Sequence, residues 1–318
     1  MFLTPEILTL QILNLIFLSF GTIAFILSIK IALKWDLNAT TKLQYSLEKQ
    51  SFLTATIIKY IFTLKIPLFL FFIFTLDKLS NILPGAMCAA GVVNATVYGN
   101  YLLVLKVINI YIFGFWLVLH YVDIKQPTLP YTKQKFQFFI VIYFLLLIEI
   151  IIEYLMFSSI DISKIVNCCG TLYSSAATSF ISKLFLISNQ TILFVFYFNF
   201  ILIIFSYIKK YKQLFSIVNF LFIIVSIISL ILFFGTYIYE LPTHHCPFCY
   251  LQKDYYYVGY LIYILLFLGT FNGLLVGFST DDILTNNSFK KSIIFNTLFV
   301  LLVSAYPIVF FIKNGVWL

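Results

Sequence analysis

Eight stretches of about 20 apolar residues each run through this chain, and each is long enough to cross a bilayer as a helix. They fall at roughly 10–33, 53–76, 98–120, 137–157, 188–208, 215–238, 256–277 and 292–312. In lipid, every backbone N–H and C=O must find its partner inside the segment, so runs of this length leave helices as the outcome. The expected fold is all-α: a polytopic membrane bundle of about eight transmembrane helices, forming a single domain over residues 1–318. Composition agrees, with 62% hydrophobic and 10% charged residues, where a soluble domain carries about 25% charged residues. The lipid bilayer is the first expected partner. No basic stretch is long enough to follow a phosphate backbone, so nucleic acid is not an expected one. The first apolar run is preceded by Glu6 rather than by a basic segment and is of spanning length, so it reads as a retained helix.

All 20 basic residues are lysine, and their placement orients the bundle. One set of connecting loops holds Lys30, Lys34, Lys42, Lys49, Lys125, Lys133, Lys135, Lys209, Lys210, Lys212, Lys290 and Lys291, twelve in all. The opposite set holds five: Lys78, Lys164, Lys183, Lys253 and Lys313. Basic residues stay on the cytoplasmic side of a membrane. The first set is therefore expected in the cytoplasm, with both ends of the chain on the non-cytoplasmic side.

All five cysteines then face outward. Cys88 follows the second span, Cys168 and Cys169 follow the fourth, and Cys246 and Cys249 follow the sixth. Buried cysteines in cores are usually scattered small hydrophobes, and these are gathered in three loops on one side. That distribution points to oxidising or metal chemistry at the periplasmic or exterior face of a cytoplasmic (inner) membrane. Adjacent cysteines rarely bond each other, so Cys168 and Cys169 are expected to face different partners, one of them open to Cys88. The outward loop over about 158–187 contains "TLYSSAATSFISKLFLIS", which could lie on the membrane surface as a short amphipathic helix.

The densest chemistry is "HHCPFCYLQK", residues 244–253. Two thiols three positions apart can close a disulfide or share a metal. With the next span starting near Tyr256, Cys246 and Cys249 are expected at a helix N-terminus, where the dipole stabilises a thiolate. A purely structural disulfide is the plain alternative. His244 and His245 beside the thiols open a third possibility: imidazole and thiolate together suit copper or zinc. If the loops converge, Cys88, Cys168 and Cys169 would join either site as redox or ligating thiols.

The stretch "CPFCYLQK" resembles the C-x-x-C-x-x-Q-basic segment of the DsbB-type quinone-linked thiol oxidases and, more loosely, the CxxC of the vitamin K epoxide reductase family. The resemblance covers about eight residues, and this chain has twice the four spans usual in the first family. It implies a redox-active pair, Cys246–Cys249, working against a membrane quinone. Gln252 and Lys253 would then lie near the quinone headgroup. A further outer-loop cysteine pair would exchange electrons with a periplasmic thiol protein. The metal alternative implies a metal-carrier protein in that place.

Charges inside the spans complete the inventory. Ionisable groups in a membrane are costly and are usually paired or functional. Lys65, Lys106 and Glu149 each come to roughly 13 Å from the outer ends of their spans at 1.5 Å per residue. Glu153 lies one turn nearer the surface, on the face of Glu149. A cluster across the second, third and fourth spans is expected, serving as a structural ion pair or as a proton path.

Overall fold

The computed structural model describes residues 4–36, 39–166, 185–279 and 281–318. The described chain is helical, with no strand. Its helices are α1 (Pro5–Lys34), α2 (Lys42–Ser80), the short α3 (Ala89–Asn94), α4 (Tyr98–Ile124), α5 (Thr132–Ser159), α6 (Asn189–Ile208), α7 (Lys212–Tyr239), α8 (Val258–Phe278) and α9 (Asp282–Asn314). All except α3 are long and apolar enough to cross a membrane, which makes eight candidate spans. This is the architecture of an all-α polytopic membrane protein.

Several helices outrun their apolar cores. α2 has 39 residues and α9 has 33, while about 20 suffice to cross the hydrocarbon. The surplus turns carry the basic residues that a hydropathy reading assigns to loops, including Lys42, Lys49, Lys290 and Lys291. Local signals set the ends. Thr41 caps α2 through Gln44 N–H at 3.3 Å. Ser188 caps α6 through Thr191 N–H at 3.2 Å. Asp281 caps α9 through the amides of Ile283 and Leu284, and each side-chain oxygen satisfies a donor that the first turn leaves open.

The chain divides into two compact units. Unit 1 comprises residues 1–84 and 92–164; unit 2 comprises 85–91 and 165–318. In unit 1, α1 packs against α2 and α5, and α4 packs against α2 and α5, so the four long helices form a closed ring. Its centre is aromatic: Phe62 stacks on Phe113 with centroids 4.4 Å apart and meets Trp116 and Phe139 edge-on or tilted. Asp123 ties the end of α4 to the start of α5. Buried, it takes Tyr131 N–H, the Thr132 hydroxyl and the Lys135 ammonium, the last at 2.5 Å. In unit 2, α7 packs between α6 and α8, and α8 packs on α9. Within α7, residues Leu230–Phe234 form a π-turn, and its widened register is closed by Gly235 N–H bonding to Leu230 C=O.

Candidate functional site

The second unit gathers three cysteines. Cys88 arrives on the segment 85–91, and Cys246 and Cys249 on the loop between α7 and α8. Their sulfurs all lie within 4.8 Å of one another. The Cys88 and Cys246 sulfurs are 3.6 Å apart, beyond the S–S bond length of about 2.05 Å and within the reach of a small side-chain movement. All three are buried, at 0%, 1% and 5% exposure respectively.

The scaffold holding them is built from tyrosines. The Tyr239 hydroxyl donates to the Cys246 carbonyl and accepts from Tyr250 N–H at 3.1 Å, so one phenol fixes both arms of the CPFC turn. The Tyr263 hydroxyl donates to the Pro247 carbonyl at 2.9 Å and shares a 2.5 Å contact with the Tyr250 hydroxyl. Burial first, then its neighbouring tyrosines, raises the Tyr250 phenol well above its ordinary pKa, so it stays protonated. Tyr250 folds against the first turn of α8 because Gly259 leaves room; a Cβ there would sit 2.5 Å from the Tyr250 ring. On the other arm, Gly85 takes φ +86°, and a Cβ would meet the Val166 carbonyl at 2.4 Å. Glycine is the residue that tolerates both constraints.

The remaining predicted residues have definite places. Gln252 donates its amide to the Met87 carbonyl at 3.1 Å, tying the CPFC loop to the residue before Cys88. Lys253 is exposed. His245 Nδ1–H donates to the Ile231 carbonyl at 2.9 Å, inside the π-turn, and His244 packs edge-on to Tyr239 at 4.4 Å. The three-sulfur group takes in neither histidine. Burial, the largest cause, holds His245 below its ordinary pKa, so it is neutral at neutral pH and lends no positive charge to a thiolate. Cys168 and Cys169 lie outside the described residues, as does most of the segment read as a surface helix.

One local expectation is corrected. The CPFC pair does not open a long helix. Cys249–Leu251 and Lys253–Tyr255 form separate 3₁₀ turns, and Tyr256 and Tyr257 both take left-handed backbone before α8 starts at Val258. The thiols therefore lack the dipole of α8. Left-handed tyrosines are uncommon, and nothing in the residue pattern announces them.

Unit 1 carries a second polar site. Lys65 on α2 pairs with Glu149 at 3.1 Å, and Lys106 on α4 pairs with Glu149 at 2.8 Å and Glu153 at 2.6 Å, both carboxylates on α5. Two asparagines complete it. Asn14 on α1 accepts from Lys65 at 2.9 Å and donates to Glu153 at 2.8 Å; Asn109 on α4 donates to Glu149 at 2.6 Å. All six side chains are buried. The asparagines were missed by a reading confined to formal charges, although Asn14 is the sole amide between the ends of an otherwise greasy run, at residues 12–33.

Comparison with protein-family profiles, with curated proteins and with solved structures gives no match to this chain.

Proposed function

We propose that unit 2 performs thiol–disulfide exchange at the outer face of the cytoplasmic membrane, with Cys88, Cys246 and Cys249 as the reacting groups. The observation that carries this reading is the 3.6 Å approach of the Cys88 and Cys246 sulfurs, with Cys249 within 4.8 Å of both. Three thiols are the minimum for an internal relay. A disulfide between two is attacked by the thiolate of the third, one S–S bond breaks as another forms, and the released sulfur takes up a proton. Net oxidation of one dithiol releases two electrons and two protons, and a membrane quinone, as in the resembled families, is the acceptor class. Gln252 positions the Cys88 segment through Met87, and exposed Lys253 is available to a headgroup at the bilayer surface. The protein partner is a periplasmic thiol protein, reached through Cys168 or Cys169.

The test is differential alkylation with mass spectrometry on the purified protein, before and after addition of a quinone analogue. A disulfide among Cys88, Cys246 and Cys249 that forms with quinone and disappears with a dithiol reductant supports the reading. Three thiols unchanged by either reagent overturn it.

A second reading is favoured by the mutual spacing of the three sulfurs. A metal about 2.3 Å from each thiolate needs sulfurs about 4 Å apart in a trigonal set, and the 4.8 Å limit is within a small adjustment of that. Soft thiolates select Cu(I), or zinc with a further ligand; His244 or His245 would have to turn from its present contact to supply one. Protein purified under reducing conditions and assayed for metal decides: absence of stoichiometric copper and zinc removes this reading.

A further inference from the structure

The charges inside unit 1 form a closed ring of hydrogen bonds and ion pairs: Lys65, Asn14, Glu153, Lys106, Glu149 and back to Lys65, with Lys106 and Glu153 joined as an ion pair at 2.6 Å. It holds two cations and two carboxylates and is contributed by all four long helices of the unit. A structural ion pair needs only two of these groups. Beside the ring, a recess between α2 and α4 is lined by Lys65, Lys106 and Glu149 at its polar end and by Leu68, Phe69, Ile110 and Phe113 elsewhere. It has room for about one water molecule with three polar partners, the conditions under which a recess holds water.

The two lysines are not equivalent. Lys106 is flanked by both carboxylates and also sits 4.5 Å over the ring of Phe72. Lys65 has one carboxylate, at the longer distance of 3.1 Å. Its other partner is the neutral amide oxygen of Asn14, and its aromatic contact, Phe17, lies 5.5 Å away. A buried ammonium persists only where its charge is compensated, and Lys65 is the less compensated of the two.

We propose that this ring is a proton-exchange site in the membrane interior, at which Lys65 gives its proton to a water in the recess and recovers it. In the forward step one Nζ–H bond breaks, its electron pair stays on nitrogen, and the water becomes hydronium. The ring passes from two cations and two anions to one cation and two anions. Lys106 remains charged between Glu149 and Glu153. Asn14 keeps its bond to Glu153, and Asn109 keeps Glu149 in place. These groups are the charged and amide side chains that face Lys65 from α1, α4 and α5.

The experiment uses the full chain in lipid nanodiscs and does not involve the thiols. A small lipid-soluble amine reagent, phenyl isothiocyanate, attacks only the unprotonated amine, and peptide mass spectrometry reads its attachment site. At neutral pH, Lys65 is expected to react clearly faster than Lys106, because it faces one carboxylate where Lys106 is held between two. Equal rates overturn the proposal. A base jump followed with a pH indicator gives the second readout. Lys65→Arg keeps the charge and cannot lose it, so it should release about one proton fewer per chain than wild type. Equal release from Lys65→Arg and wild type overturns the proposal. Should Lys65→Arg fail to fold, the labelling ratio in wild type alone decides.

Discussion

At the scale of single residues, Tyr239 holds the thiol loop more than any cysteine does. Its hydroxyl serves the Cys246 carbonyl and the Tyr250 amide together. Tyr239→Phe removes one oxygen and leaves two buried backbone groups without it. Each stranded group costs about 1–3 kcal/mol, so the melting temperature should fall clearly and Cys246 should alkylate faster. An unchanged melting temperature and labelling rate would show that the phenol is not the clamp. His245 gives a pH-dependent counterpart. Burial lowers its folded pKa beneath the ordinary 6.5, so below 6.5 the unfolded chain binds more protons than the native one. Stability then rises with pH across the window from the folded pKa up to 6.5 and is lost on acidification through it. The fall in melting temperature between neutral and mildly acidic pH should be smaller in His245→Gln, whose amide can still donate to Ile231. An identical pH dependence in both proteins would remove His245 as a contributor.

At the scale of elements, unit 2 depends on a stripe that the hydropathy pattern conceals. Gly269, Gly273 and Gly277 line one face of α8, and Cβ atoms there would sit 2.1 Å from the Asn296 side chain, 2.2 Å from Asn219 and 2.6 Å from Ser216. Small residues at four-residue spacing let membrane helices approach until polar groups meet across them. Here Asn219 accepts from Asn296 at 2.8 Å and from Ser292 at 3.3 Å, joining α7 to α9 beside those glycines. Gly273→Val should force the backbones apart and break this network. The expected result is a protein that unfolds or aggregates on detergent extraction, while Leu261→Val on an exposed face of the same helix stays monodisperse. Equal behaviour of the two variants by size-exclusion chromatography would refute the close-packing account. The stripe was legible in "GTFNGLLVG", since the spacing is written there. The π-turn of α7 and the left-handed Tyr256–Tyr257 pair were not, because both follow from tertiary packing around the thiols and no local preference of Leu, Phe or Tyr encodes them. The cysteine cluster stands between these cases. Loop parity indicates that Cys88 and Cys246 belong to one side of a membrane, but their approach across 158 residues of sequence depends on segment 85–91 packing with unit 2. The same holds for the charged ring of unit 1: depth along each span brings four ionisable groups to similar levels, and only the helix neighbours add Asn14 and Asn109.

At the scale of the whole molecule, each of the eight described helices that can cross a bilayer was visible as an apolar run, because the lipid requires internal backbone pairing and tolerates little else. The side of the membrane rests on the lysines, twelve toward one end of the spans against five toward the other. This asymmetry makes a prediction that all of the outward chemistry needs. A reporter inserted after Asp161 or after Leu241, both exposed loop positions, should be active only if it folds outside the cytoplasm. The same reporter placed after Gln126, between α4 and α5, should behave as cytoplasmic. Alkaline phosphatase and a cytosol-active fluorescent protein give opposite readouts at each site, so each position is scored twice. Phosphatase activity at 161 and 241 together with fluorescence at 126 would put Cys88, Cys246 and Cys249 in an oxidising compartment, where disulfide formation is sustained. The inverse pattern would place those thiols among cytosolic reductants. Stable disulfides are rare there, and three thiolates close enough to share a soft metal would then be the chemically reasonable state of the same cluster.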